Sequence, residues 1–100
     1  MLYFCWDQAK AESNLRKHRV TFALATRVFA DPYALMDQDR IEGGERRWLT
    51  LGLVDNLLVL AVAHTVTDAQ DGSETIRIIA ARPADRRERK RYEQERSRQI

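Results

Sequence analysis

One hundred residues, 44% of them hydrophobic and 32% charged, suit one small folded unit, a single domain over 1–100 that is too apolar to remain disordered. No apolar run approaches the roughly 18 residues of a membrane span, no signal-peptide pattern is visible, and Cys5 stands alone, so a cytoplasmic setting is expected. The net charge of +2 is unevenly spread: residues 82–98 hold eight basic and four acidic side chains, about +4, and the remainder, with nine basic and eleven acidic, is near −2.

Along the chain, Leu2–Trp6 reads as a short edge strand, followed by Asp7 as N-cap of a helix through AKAESNLRKH. Thr21 caps a second helix, FALATRVFA, which places Phe22, Ala25, Val28 and Phe29 near one face. Asp31-Pro32 ends it, since proline lacks an N–H and restricts the preceding residue. Strand patterns then take over: ALMDQDR, the turn EGGE, ERRWLTLGLV, LLVLAVAHTV and, after the loop TDAQDGSE, ETIRIIAAR. Asp85 and Glu88 have capping-box spacing, so a last helix is expected to start near Arg86. The order β-α-α-β-β-β-β-α predicts an α+β domain with an antiparallel sheet, two N-terminal helices and one C-terminal helix. There is no repeat, linker or low-complexity tract.

Several chemistries have no footing. His18 and His64 are forty-six positions apart and, with one cysteine, give no metal-ligand spacing. Gly43-Gly44 lacks the lysine of a phosphate loop, and Ser13, Ser73 and Ser97 sit outside any nucleophile elbow. Neither a metal nor a cofactor is expected.

The strands say more. If Asp55-Asn56 is a two-residue turn, Leu53 meets Leu58, Leu51 meets Leu60, Leu49 meets Val62 and Arg47 meets His64. If Asp71-Gly72 is the next hairpin tip, Ile79 faces His64 and Arg77 faces Val66. Arg47, His64 and Arg77 would then gather at one end of a sheet face, conditional on both registers, because a slip of one residue reverses the faces. Cutting RNA without a metal needs a group for the 2′-hydroxyl proton, positive charge on the phosphate and a donor for the leaving oxygen. Histidine can serve as acid or base, arginine can grip the phosphate, and Tyr92 can donate a proton or stack on a base. The competing reading is that His64 caps a strand end and the arginines pair with carboxylates. Asn14, Lys17 and His18 share one surface of the first helix, where positive charge also simply suits the helix C-terminus. The last helix is either a phosphate- or acidic-partner-binding surface or a solvated face paired through Glu88 and Glu93.

Five segments in order, WDQAKAESNLRKHRVTF, VFADP, ERRWLTLG with VAHT, and IRIIAARPADRRERKRYE, make nearly the whole chain resemble the BrnT toxins of bacterial type II toxin–antitoxin systems. The resemblance implies a RelE-like α+β fold and a ribonuclease that blocks translation. It also implies a BrnA-like antitoxin with a ribbon-helix-helix domain, through which the complex binds promoter DNA. Matching polar positions are Lys10, Asn14, Lys17, His18, Glu45, Arg46, Arg47, His64, Thr65, Arg77, Arg82, Glu88 and Tyr92. The expected catalytic set is Arg47, His64, Arg77 and Tyr92; Lys17, His18, Arg46, Arg82, Arg86, Arg89 and Lys90 are expected to hold RNA.

Two positions depart from the family pattern. Val66-Thr67 follows His64-Thr65 where members often carry a polar or charged pair, and Arg19 stands where glycine is usual at the end of the first helix. The second function in contention is a non-catalytic interaction module that binds a ribbon-helix-helix partner and tunes repression.

Overall fold

In the computed structural model, which describes residues 1–99, the chain runs β1 (Leu2–Trp6), α1 (Gln8–His18), α2 (Phe22–Ala25, tightening to a 3₁₀ segment at Thr26–Ala30), β2 (Leu35–Glu42), β3 (Glu45–Val54), β4 (Leu58–Asp68), β5 (Glu74–Pro83) and α3 (Arg86–Gln99). Each helix start has its side-chain cap. Asp7 Oδ1 accepts from Lys10 N at 3.1 Å, and Thr21 Oγ1 accepts from Leu24 N at 3.0 Å. At α3 the box is reciprocal: Glu88 N donates to Asp85 Oδ1 at 2.8 Å, and Asp85 N donates to Glu88 Oε1 at 2.9 Å. Among the described residues no helix is long and apolar enough to cross a membrane.

Arg19 ends α1 in the left-handed region, at φ 60° and ψ 27°, with its N–H on the Leu15 carbonyl at 2.9 Å. A Cβ is disfavoured there, and glycine's larger unfolded-state freedom offsets only part of that strain. Arg19→Gly is therefore expected to add about 0.5–1 kcal/mol of stability. The check is a higher urea midpoint at unchanged slope.

The sheet order is β1-β5-β4-β3-β2. β1 pairs with β5 in parallel and every other pair is antiparallel, so the expected antiparallel sheet is in fact mixed. Parallel pairing needs a long connection, and everything between Trp6 and Glu74 supplies it. β4 is buried on both sides, which is why it reads as a continuous apolar run. Leu60 and Val62 join Val20, Phe22, Ala25, Val28, Ile76 and Ile78 under α1 and α2. Val59 and Ala61 join Leu51, Ala84 and Tyr92 under α3.

The edge of β5 beyond β1 is closed by a side chain. Asn14 Nδ2 donates to the carbonyls of Ala81 (2.8 Å) and Val20 (3.0 Å), and its Oδ1 accepts from Ala81 N at 3.0 Å. This carboxamide stands in for a missing strand. Buried and saturated, it is part of the frame rather than a free RNA contact.

Candidate functional site

Two local irregularities decide which side chains meet. The β3–β4 connection holds Asp55 and Asn56 at φ 53° and 58°, with Leu57 N on the Val54 carbonyl at 3.1 Å. The strands then pair from Val54 and Leu58, so the loop is one residue longer than a two-residue turn. Trp48, not Arg47, consequently faces His64. In the β4–β5 ladder Ala63 pairs with Ala80 but His64 pairs with Ile78, leaving Ile79 as an extra residue in a bulge. The expected register holds as far as Ala63 and then slips by one, so Arg77 faces Thr65 instead of Val66.

The expected cluster therefore divides. Arg47 and Arg77 remain together on one face, with Thr65 across from Arg77. His64 points through the opposite face into the core and is 0% exposed. Its Nε2 lies 2.7 Å from Thr50 Oγ1, its Nδ1 3.3 Å from the Thr65 carbonyl, and the Phe29 ring packs edge-on at 4.9 Å. A carbonyl can only accept, so Nδ1 carries the hydrogen and Nε2 accepts from the Thr50 hydroxyl, which assigns the neutral tautomer. Burial holds the imidazole below its ordinary value of 6.5, with the backbone hydrogen bond opposing. With both nitrogens occupied and no exposure, the expected acid–base role of His64 has no access to a substrate.

Above about pH 6.5 both folded and unfolded His64 are neutral and the fold is at full strength. Below it the unfolded state takes a proton that the folded state resists, so stability falls, at up to about 1.4 kcal/mol per pH unit, until the lower folded pKa is reached. Urea midpoints of the parent should drop between about pH 7 and 5.5 more steeply than those of His64→Gln.

Tyr92 is likewise withdrawn from catalysis. It is 1% exposed, and its hydroxyl donates to Asp31 Oδ2. Burial, then the Asp31 carboxylate, push the phenol well above its ordinary range, so it neither releases a proton readily nor offers a face to a base. Asp31 also accepts from Leu53 N at 2.8 Å and Tyr33 N at 2.9 Å, tying α3, β3 and the chain after α2 together.

What stays open is the half of the sheet face that α3 leaves uncovered. There every guanidinium holds a carboxylate. Arg47 Nη1 is 3.2 Å from Glu42, which also meets Arg40 at 3.0 Å. Arg77 pairs with Glu45, and Arg91 of α3 grips Asp37 through both nitrogens, one at 2.9 Å. Arg82 holds Glu88 at 2.7 and 3.1 Å. The Glu88 and Asp37 carboxyls lie below their ordinary range because of these arginine hydrogen bonds. Arg47 Nε is buried with no partner among the described residues. Partly exposed pairs of this kind contribute at most about 1 kcal/mol each, so a phosphate can displace the carboxylates at small cost.

The expected RNA-holding residues fall on separate surfaces. Arg86, Arg89 and Lys90 are exposed along the start of α3; Arg89 Nη1 donates to the Ala84 carbonyl at 2.8 Å, and Arg86 and Lys90 make no ion pair among the described residues. Lys17 and His18 border, with Lys10, a depression of about 270 Å³ over Ile79 and Ala80. Arg46 lies on the far face, 5.8 Å over Trp48, beside a depression of about 410 Å³ that also includes Met36, Val66 and Asp68. Sequence reasoning missed Asp31, Asp37, Glu42 and Thr50. Asp31 was visible only as a helix stop before proline, and the others depend on partners in distant strands.

Among curated proteins none matches the chain. The crystal structure of the Brucella abortus ribonuclease toxin BrnT resembles it with a TM-score of 0.67 and 25% identity, over 86% of this chain and 100% of that one. The family model for the BrnT ribonuclease toxin of type II toxin–antitoxin systems matches residues 6–88. With most of its length matched, the chain belongs to the BrnT family of ribonuclease toxins.

Proposed function

We propose that residues 1–100 form a single toxin domain with a RelE-like fold that cuts RNA without a metal ion, and so arrests translation in the cytoplasm. The observation that carries the choice of site is that Arg47 and Arg77, on strands either side of β4, share the open face beside α3, opposite the buried His64. Two guanidiniums held by exchangeable carboxylates suit a scissile phosphate and its developing negative charge. Arg86, Arg89 and Lys90 would follow the RNA backbone, which makes binding steeply salt-dependent.

The partner in this reading is a BrnA-like antitoxin with a ribbon-helix-helix domain, and promoter DNA is bound only through the complex. The alternative, a non-catalytic module that tunes repression, is favoured by one feature: Val66-Thr67 places no positive charge next to Thr65. Cleavage of a defined messenger RNA by the purified, antitoxin-free chain in chelator distinguishes the two. Cuts that vanish when the antitoxin is added support the toxin. A folded chain that leaves RNA intact while binding the partner supports the module.

A further inference from the structure

With His64 in the core, the open face needs another group to take the 2′-hydroxyl proton. This step rests on the RNA-cleaving reading above. We infer that Glu45 is the general base, with Arg77 beside it holding the scissile phosphate.

Of the four carboxylates that hold arginines on this face, three are committed elsewhere: Glu88 takes both terminal nitrogens of Arg82 and the Asp85 amide. Asp37 is held by both terminal nitrogens of Arg91. Glu42 is shared between Arg40 and Arg47. Among the described residues Glu45 pairs with Arg77 alone, and its side chain is 47% exposed. It opens β3 directly after Gly43 and Gly44, whose φ angles of 60° and 77° form the hairpin turn. Across that hairpin Glu45 faces Glu42, a like-charge pair that costs stability. The turn itself requires neither carboxylate, and departures from local consistency of this kind concentrate at functional sites.

A phosphate entering Arg77 displaces the Glu45 carboxylate by one side-chain swing and leaves it next to the reacting nucleotide. Glu45 then takes the 2′-hydroxyl proton as the 2′-oxygen bonds to phosphorus. The bond from phosphorus to the 5′-oxygen breaks, and that oxygen leaves as a hydroxyl with a proton from water. The products are a 2′,3′-cyclic phosphate and a 5′-hydroxyl. Protonated Glu45 returns its proton to the hydroxide left behind, which balances the cycle.

The test is single-turnover cleavage of a defined RNA in chelator by the parent, Glu45→Gln and Arg77→Ala. Affinity is measured on the same RNA with a 2′-deoxy nucleotide at the cut. Glu45→Gln should cleave about 100-fold more slowly or worse, with affinity undiminished or raised a few-fold because the competing carboxylate is gone, and its residual rate should climb about tenfold per pH unit as hydroxide replaces the carboxylate. Arg77→Ala should lose affinity as well as rate. Glu45→Gln cleaving at the parental rate while Arg77→Ala fails would overturn the assignment and leave the ribonuclease reading intact. Products ending in a 3′-hydroxyl would overturn it too, because no 2′-oxygen would have attacked. A folded parent that cuts nothing removes the ribonuclease reading, and this inference with it.

Discussion

Gly52→Ala should destabilise the fold by at least about 3 kcal/mol, a large fraction of what a domain this size possesses. Gly52 lies in β3 where the 3₁₀ segment after α2 presses on the sheet. A Cβ there would sit 2.6 Å from Val28 Cβ and 2.9 Å from both the Val28 Cα and carbonyl oxygen. Two of those atoms are backbone, so no rotamer change at Val28 relieves the contact. The segment would have to lift, exposing Val28 and Phe22, which are 0% and 2% accessible. Urea denaturation measures the effect directly, and a parental midpoint for Gly52→Ala would contradict this packing.

Asp31→Ala comes next, with an expected loss of about 2–4 kcal/mol. The carboxylate receives the Tyr92 hydroxyl and the Leu53 and Tyr33 amides. Removing it leaves the Tyr92 oxygen in a site that is 1% exposed, where an unmade hydrogen bond costs its full desolvation. Because Tyr92 is the buried residue of α3, that helix should loosen first. Amide exchange should accelerate in α3 before it does in β4. Uniform acceleration across the chain would mean that Asp31 is not the local tie.

The sequence was legible where the signal is local. β3 runs from Glu45 to Val54 as the pattern ERRWLTLGLV indicates, and the Asp85–Glu88 box starts α3 where its spacing says. The basic surplus of residues 82–98 is real, although Arg82, Arg91 and Arg98 are spent on carboxylates.

The site was harder to read because it depends on counting by one. Leu57 lengthens a loop that Asp55-Asn56 alone would have closed, and Ile79 bulges without a glycine to announce it. Each shift moves a whole strand's side chains relative to its neighbour. Together they keep Arg47 with Arg77 but send His64 to the other face. The parallel pairing of Leu2–Trp6 with Glu74–Ile78 has no local marker at all, since the partner strand lies some seventy residues away.

The chemistry should therefore follow the arginines and not the histidine. The direct measurement is cleavage of one defined RNA, in chelator, by the parent, Arg77→Ala and His64→Gln, each shown folded by circular dichroism. Arg77→Ala is expected to fall about 100-fold or more, and His64→Gln to stay within about tenfold of the parent. The reverse order, with His64→Gln inactive and Arg77→Ala near parental, would place the reaction on the other side of the sheet.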